Sequence, residues 1–109
     1  MPEGAPPSDV SRETRMKAED RRVHVVLYGG VQGVGFRWFV REAARRLDLP
    51  GYVLNRADGG VELETAGPAD AVAELLRTVG NGPPLARVET VEELKPSAER
   101  LPSPFAIRH

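Results

Sequence analysis

Between Arg22 and Tyr28 apolar and mixed positions alternate, with Val23, Val25 and Leu27 on one side and His24, Val26 and Tyr28 on the other. Period two and β-branched content predict a first strand, which Gly29 and Gly30 end. Past the glycines the period changes. Phe36, Val40, Ala43 and Leu47 share one helical face, which Phe39 and Ala44 widen. Arg41, Glu42, Arg45, Arg46 and Asp48 lie mostly off that stripe, and Pro50 with Gly51 is expected to close the helix.

The run "YVLNRADGGVELETAG" predicts a hairpin turning at Asp58-Gly59. In its second arm Val61, Leu63 and Thr65 alternate with Glu62, Glu64 and Ala66, so one face is expected buried and the other wet. Pro68 is placed at the first position of a second helix, with Asp70 in its first turn and Val72, Leu75, Leu76 and Val79 as its stripe. Gly80 is expected to end it, and "NGPP" to form a loop. "LARVETVEEL" predicts another strand, with a bulge where the step from Val88 to Val91 breaks the alternation. Phe105 and Ile107 in "FAIR" predict a short edge strand.

The order β-α-β-β-α-β predicts an α+β, ferredoxin-like (βαββαβ) sandwich, an antiparallel sheet with both helices on one face. Val25, Leu27, Val61 and Leu63 would line the core. That fold hosts many functions, so function has to come from a site.

Composition narrows the chemistry. The chain has 109 residues, no cysteine, two histidines and a net charge of −1. It therefore carries no thiolate nucleophile and no Cys-based metal site, and no His pair is spaced for a metal. No metal and no cofactor are expected. The charge offers no general attraction for nucleic acid or an anionic membrane, and no apolar run is long enough to span a bilayer. Residues 1–20 are rich in Pro, Ser and charge and are expected to form a disordered tail ahead of a single domain over 21–109. A soluble cytoplasmic monomer is expected.

The segment "GGVQGVGFRW" holds the chemistry. Gly29, Gly30, Gly33 and Gly35 crowd the junction between the first strand and the first helix. Backbone N–H groups at a helix start are unpaired and carry the positive dipole end, and glycines let several of them converge on one oxyanion. Arg37 adds a planar fork that matches phosphate. Gly30 to Arg37 fits only part of a P-loop, since Phe36 and Arg37 stand where Lys and Ser/Thr are required. Trp38 likewise breaks a GxGxxG, so nucleotide binding is not expected. A plain strand-to-helix turn needs fewer glycines than these.

The run "VQGVGFR" and the spaced "GYVLN…DGGVE" resemble the two most characteristic segments of the acylphosphatases, small enzymes that hydrolyse carboxyl-phosphate anhydrides. The resemblance extends more weakly to "GPPLARVETV" and "FAIR", over about residues 22–108. It implies an acyl phosphate as small-molecule substrate and inorganic phosphate as product inhibitor. It also implies catalytic roles for Arg37, which binds the phosphoryl group, and for Asn55, which positions the attacking water. The backbone amides of Val31, Gln32, Gly33, Val34, Gly35 and Phe36 would form the cradle. Gly30 departs from the family pattern, which usually has arginine there, and Arg56 is expected to compensate in part.

Two other readings compete. The same fold with aromatics on an open sheet face binds single-stranded RNA, but here Glu62 and Glu64 would share that face with His24, Val26 and Tyr28 and repel a phosphate backbone. A non-catalytic anion-binding or carbamoyl-transfer accessory module is the second.

Overall fold

The computed structural model describes residues 20–109. Its elements run β1 (Asp20–Gly30), α1 (Phe36–Arg46), β2 (Gly51–Asn55), β3 (Val61–Pro68), α2 (Ala69–Asn81), β4 (Arg87–Leu94) and β5 (Ala106–Arg108). The expected tail lies outside the described residues except for Asp20, which opens β1.

The strands lie in the order β4-β1-β3-β2-β5. β3 sits between β1 and β2 and is antiparallel to both, and β4 is antiparallel to β1. β5 departs from the expected antiparallel sheet, because it runs parallel to β2, with Val53 opposite Ile107. The cause is the connection after β4. Residues 95–104 carry the chain from one edge of the sheet to the other, so it arrives at β2 pointing the same way.

Both helices pack on one face. Val23, Val25 and Leu27 from β1, Val53 from β2, and Val61 and Leu63 from β3 meet α1 and α2 there. On α1 the buried stripe is Phe36, Val40, Ala43 and Ala44, and on α2 it is Val72, Leu75 and Val79. Burying the Val, Leu and Phe side chains among these stabilises by roughly 1.5–3 kcal/mol each.

The element ends differ from the sequence reading in local ways. α1 stops at Arg46, before Pro50. Leu49 N–H bonds Ala44 O at 2.9 Å and Asp48 N–H bonds Arg45 O at 3.1 Å, with Asp48 at φ 56°. That is a Schellman-type ending with Asp in the left-handed position usually filled by glycine. Gly51 instead opens β2, where an added Cβ would stand 2.1 Å from Glu64 O. Pro68 ends β3 as the N-cap of α2, and α2 runs past Gly80 to Asn81. The bulge expected in β4 is present: Gly29 pairs with Val88 and Tyr28 with Thr90, leaving Glu89 extra.

The face of the sheet away from the helices is not open. Glu64, expected wet, is fully buried, and so is Val26. Ser97 lies over this face, donating from its N–H to Glu64 Oε2 (2.8 Å) and from its hydroxyl to Oε1 (2.9 Å). Arg22 Nε (2.9 Å) and Tyr52 OH (3.0 Å) complete the set of donors. Burial alone pushes the Glu64 carboxyl up, but these donors together hold it below the usual carboxylate range. Burial and the Glu64 bond push the Tyr52 hydroxyl well up. His24 bridges Glu62 Oε2 (2.6 Å) and Lys95 O (3.1 Å). The surface that a stacking RNA would need is thus occupied by the protein's own chain.

Candidate active site

The link from β1 to α1 is pinned at two points. Val31 is fully buried and Val34 packs against the core. Between and after these pins, Gly33 (φ 79°) and Gly35 (φ 73°) take left-handed conformations, and nothing lies within 4 Å of a Cβ built at either. These two glycines serve the curl of the loop and border open space. Gly29 does something else, since its Cβ would stand 2.2 Å from Arg87 O, so it allows two strands to approach.

Gly35 is the N-cap of α1 and offers no side-chain cap. Phe39 N–H is the first to bond within the helix, to Gly35 O at 3.0 Å. Among the described residues, the N–H groups from Gln32 to Trp38 have no hydrogen-bond partner. A row of free donors at the positive end of a helix is an arrangement that can accept an oxyanion.

Arg37 stands in the first turn of α1, half-buried. Its Nη1 donates to Arg108 O (3.4 Å) and to His109 Nδ1 (3.3 Å), leaving its Nε–Nη2 edge free among the described residues. Asn55 is the last residue of β2, exposed, and its side chain makes no hydrogen bond to a described residue. Strand alternation from the buried Val53 places Asn55 on the helix side of the sheet, where Arg37 also lies. Both line one cleft of about 540 Å³ with Val31, Gly33, Gly35 and Phe36.

Gln32 and Val34 do not line that cleft. The Gln32 amide donates to Arg56 O and Gly60 O, both at 2.9 Å, and so ties the glycine loop to the turn after Asn55. In that turn Gly60 N–H and the Tyr28 hydroxyl help hold the Asp58 carboxyl below its ordinary range. Arg56 is engaged by Asp58 (3.2 Å) and Glu62 (3.1 Å), so its charge is already partnered and it does not line the cleft. Compensation for Gly30 by Arg56 finds no support in this geometry.

Sequence reasoning missed six lining residues: Trp38, Arg41 and Arg45 on α1, and Ala106, Ile107 and His109 at the end of the chain. Arg41 and Arg45 follow Arg37 at steps of four, a signal the sequence carries, but it reads as helix positions off the apolar stripe. His109 reaches the cleft only because β5 lies against β2.

The fold is a ferredoxin-like α+β sandwich, and the free amides and arginine at the start of its first helix are groups of the kind that can receive a compact oxyanion. The Acylphosphatase family model matches residues 23–107. An acylphosphatase of Salinibacter ruber is 53% identical over 73 residues, 67% of this chain and 77% of that protein. The solved structure of an acylphosphatase from Coxiella burnetii is 37% identical at a TM-score of 0.73, covering 87% of this chain and 99% of that one. A solved HypF from T. kodakarensis is 31% identical at a TM-score of 0.70, covering 80% of this chain but 12% of that one. The chain belongs to the acylphosphatase family.

Proposed function

We propose that the chain hydrolyses the carboxyl-phosphate bond of acyl phosphates, giving a carboxylate and inorganic phosphate. The observation that carries this reading is the meeting of three features on one cleft: free loop amides, Arg37 and Asn55. The phosphoryl oxygens sit in the loop, with Arg37 gripping one edge through its free Nε and Nη2. Asn55 holds a water opposite the leaving oxygen, its Oδ1 accepting from the water and its Nδ2 donating to a phosphoryl oxygen. The water oxygen bonds to phosphorus as the phosphorus–carboxyl oxygen bond breaks. Its protons stay with the phosphate, which leaves as dihydrogen phosphate.

The leaving group is a carboxylate whose acid has a pKa of about 4, so it departs without a proton donor. The demand falls on charge stabilisation and in-line positioning, which is what these groups supply. Inorganic phosphate fits the same loop and acts as a competitive product inhibitor.

An accessory anion-binding or carbamoyl-transfer role is the second reading, favoured by the likeness to one part of the much longer HypF. Turnover separates the two. The folded protein is expected to hydrolyse benzoyl phosphate well above the spontaneous rate, with competitive inhibition by phosphate. Phosphate binding at only the spontaneous rate of hydrolysis would favour the accessory role.

We also infer a monomer. The outer strand β4 presents Arg87, Glu89, Glu92 and Glu93, charges that discourage pairing of one sheet edge with another. Among the described residues no helix is long and apolar enough to cross a membrane, and the cytoplasmic placement is carried over from the sequence.

A further inference from the structure

The cleft is larger than its phosphate loop, and its remaining wall has a definite chemistry. Trp38, Arg41 and Arg45 from α1 face Ala106 and Ile107 from β5. Arg37, Arg41 and Arg45 recur every fourth residue on one helix face. At 1.5 Å per residue, Arg41 and Arg45 lie about 6 and about 12 Å along the axis from Arg37. Among the described residues no Asp or Glu side chain lines the cleft. Glu42, on the same helix, accepts from Arg41 Nε at 3.2 Å, and both Nη atoms of Arg41 stay free among the described residues.

Arg45 is fixed where it stands. Its Nε and Nη2 both donate to Phe105 O, at 3.0 and 2.8 Å, so its Nη1 faces outward from a side chain already held. A guanidinium held in this way loses little further freedom on binding an anion. Trp38, 58% exposed, and Ile107 supply apolar walls to either side. One arginine serves the phosphoryl group; two more line the space where the acyl group must go.

We propose that Arg41 and Arg45 select acyl phosphates whose acyl group carries a second negative charge, remote from the scissile bond. This deepens the hydrolase reading above and rests on it. A neutral acyl group would leave the two guanidinium groups facing an apolar ligand; an anionic one satisfies them.

The test compares benzoyl phosphate with 4-carboxybenzoyl phosphate, whose rigid ring sets a carboxylate far from the phosphorus. In the wild-type protein kcat/KM should favour the carboxylated substrate roughly fivefold, mostly through KM, the range expected for a solvent-accessible ion pair. Arg41→Met should bring the ratio close to one, and raised salt should do the same. Arg45→Met should act in the same direction; because Arg45 also holds Phe105 O, Arg41→Met decides. A wild-type ratio of one or less, or a ratio unchanged in folded Arg41→Met, overturns the proposal. If benzoyl phosphate is not hydrolysed at all, the hydrolase reading fails instead. Calorimetric titration with terephthalate and benzoate in phosphate buffer then still reads the selection, with terephthalate expected to bind more tightly and equal affinities overturning it.

Discussion

Arg37 Nη1 lies 3.4 Å from the carbonyl oxygen of Arg108, so a side chain from the first helical turn rests on the last strand. The Arg108 guanidinium in turn stacks 4.1 Å over the Tyr52 ring on the other face and bonds Glu99 at 2.8 Å. Arg37 is therefore held in place by the protein itself, and in the proposed role little ordering entropy would remain to be lost on binding.

From this follows the first prediction. Arg37→Ala should raise KM for benzoyl phosphate and lower kcat together, because the grip acts in ground and transition states alike. Inhibition by phosphate should vanish. Arg37→Lys should recover little, since a point charge cannot reproduce the fork. Steady-state kinetics with and without phosphate check this, and an Arg37→Ala protein that phosphate still inhibits normally would place the anion elsewhere.

Gly35→Val tests the loop. Gly35 has φ 73° with open space where a Cβ would point, so the substitution meets no clash and acts through the backbone. A β-branched residue in that conformation costs on the order of 1–3 kcal/mol, and the loop relieves the strain by uncurling. Phosphate affinity and kcat/KM should both fall about tenfold or more while the melting temperature drops only a few degrees. Phosphate titration followed by calorimetry reads the first effect directly.

The order of elements was legible because period two and period 3.6 are both strong between Val23 and Val79, with turn residues between them. The curl of the loop was legible in part: Gly33 and Gly35 take left-handed conformations beside Arg37, whereas Gly29 serves the close approach of β1 and β4. Glu64 was not. Its alternation with Leu63 and Thr65 is that of a wet face, and the cover comes from Ser97, in a segment with no periodicity of its own. Asp48 hid the end of α1, because glycine is the usual signal for that conformation. Trp38, Arg41 and Arg45 look like solvated helix positions until β5 is laid opposite them, and the direction of β5 depends on the path of residues 95–104.

Glu64 yields a prediction about pH. Its folded-state pKa is depressed, so its contribution to stability is fully present above the ordinary carboxylate value of 4.5 and is lost as pH falls through the folded value. Glu64→Gln removes the charge that Arg22 and Ser97 answer, and should cost about 2 kcal/mol at pH 7. That corresponds to about 10 °C in melting temperature for a domain of this size. The gap between wild type and variant should narrow below pH 4.5, as the wild-type carboxylate protonates. Thermal melts from pH 7 to pH 3 follow it, and a gap that stays constant over that range would show that Glu64 acts by shape and not by charge.

Asn55→Ala separates the water from the phosphate. The side chain is exposed at the end of β2 and makes no hydrogen bond to a described residue, so its loss should change stability by no more than about 0.5 kcal/mol. The loop amides and Arg37 are untouched, so phosphate should still inhibit, weakened only by the one hydrogen bond that Asn55 Nδ2 gives a phosphoryl oxygen, and KM should rise only a few-fold. What is lost is the group that orients the nucleophile. By analogy with a missing oxyanion donor, kcat should fall on the order of 10²–10³-fold. The contrast with Arg37→Ala is the point of the experiment: one variant keeps phosphate and loses turnover, whereas the other loses both. Aspartate at this position should not rescue, because a carboxylate can accept from water but cannot donate to a phosphoryl oxygen and would repel it. A folded Asn55→Ala protein with near-normal kcat would remove Asn55 from the mechanism.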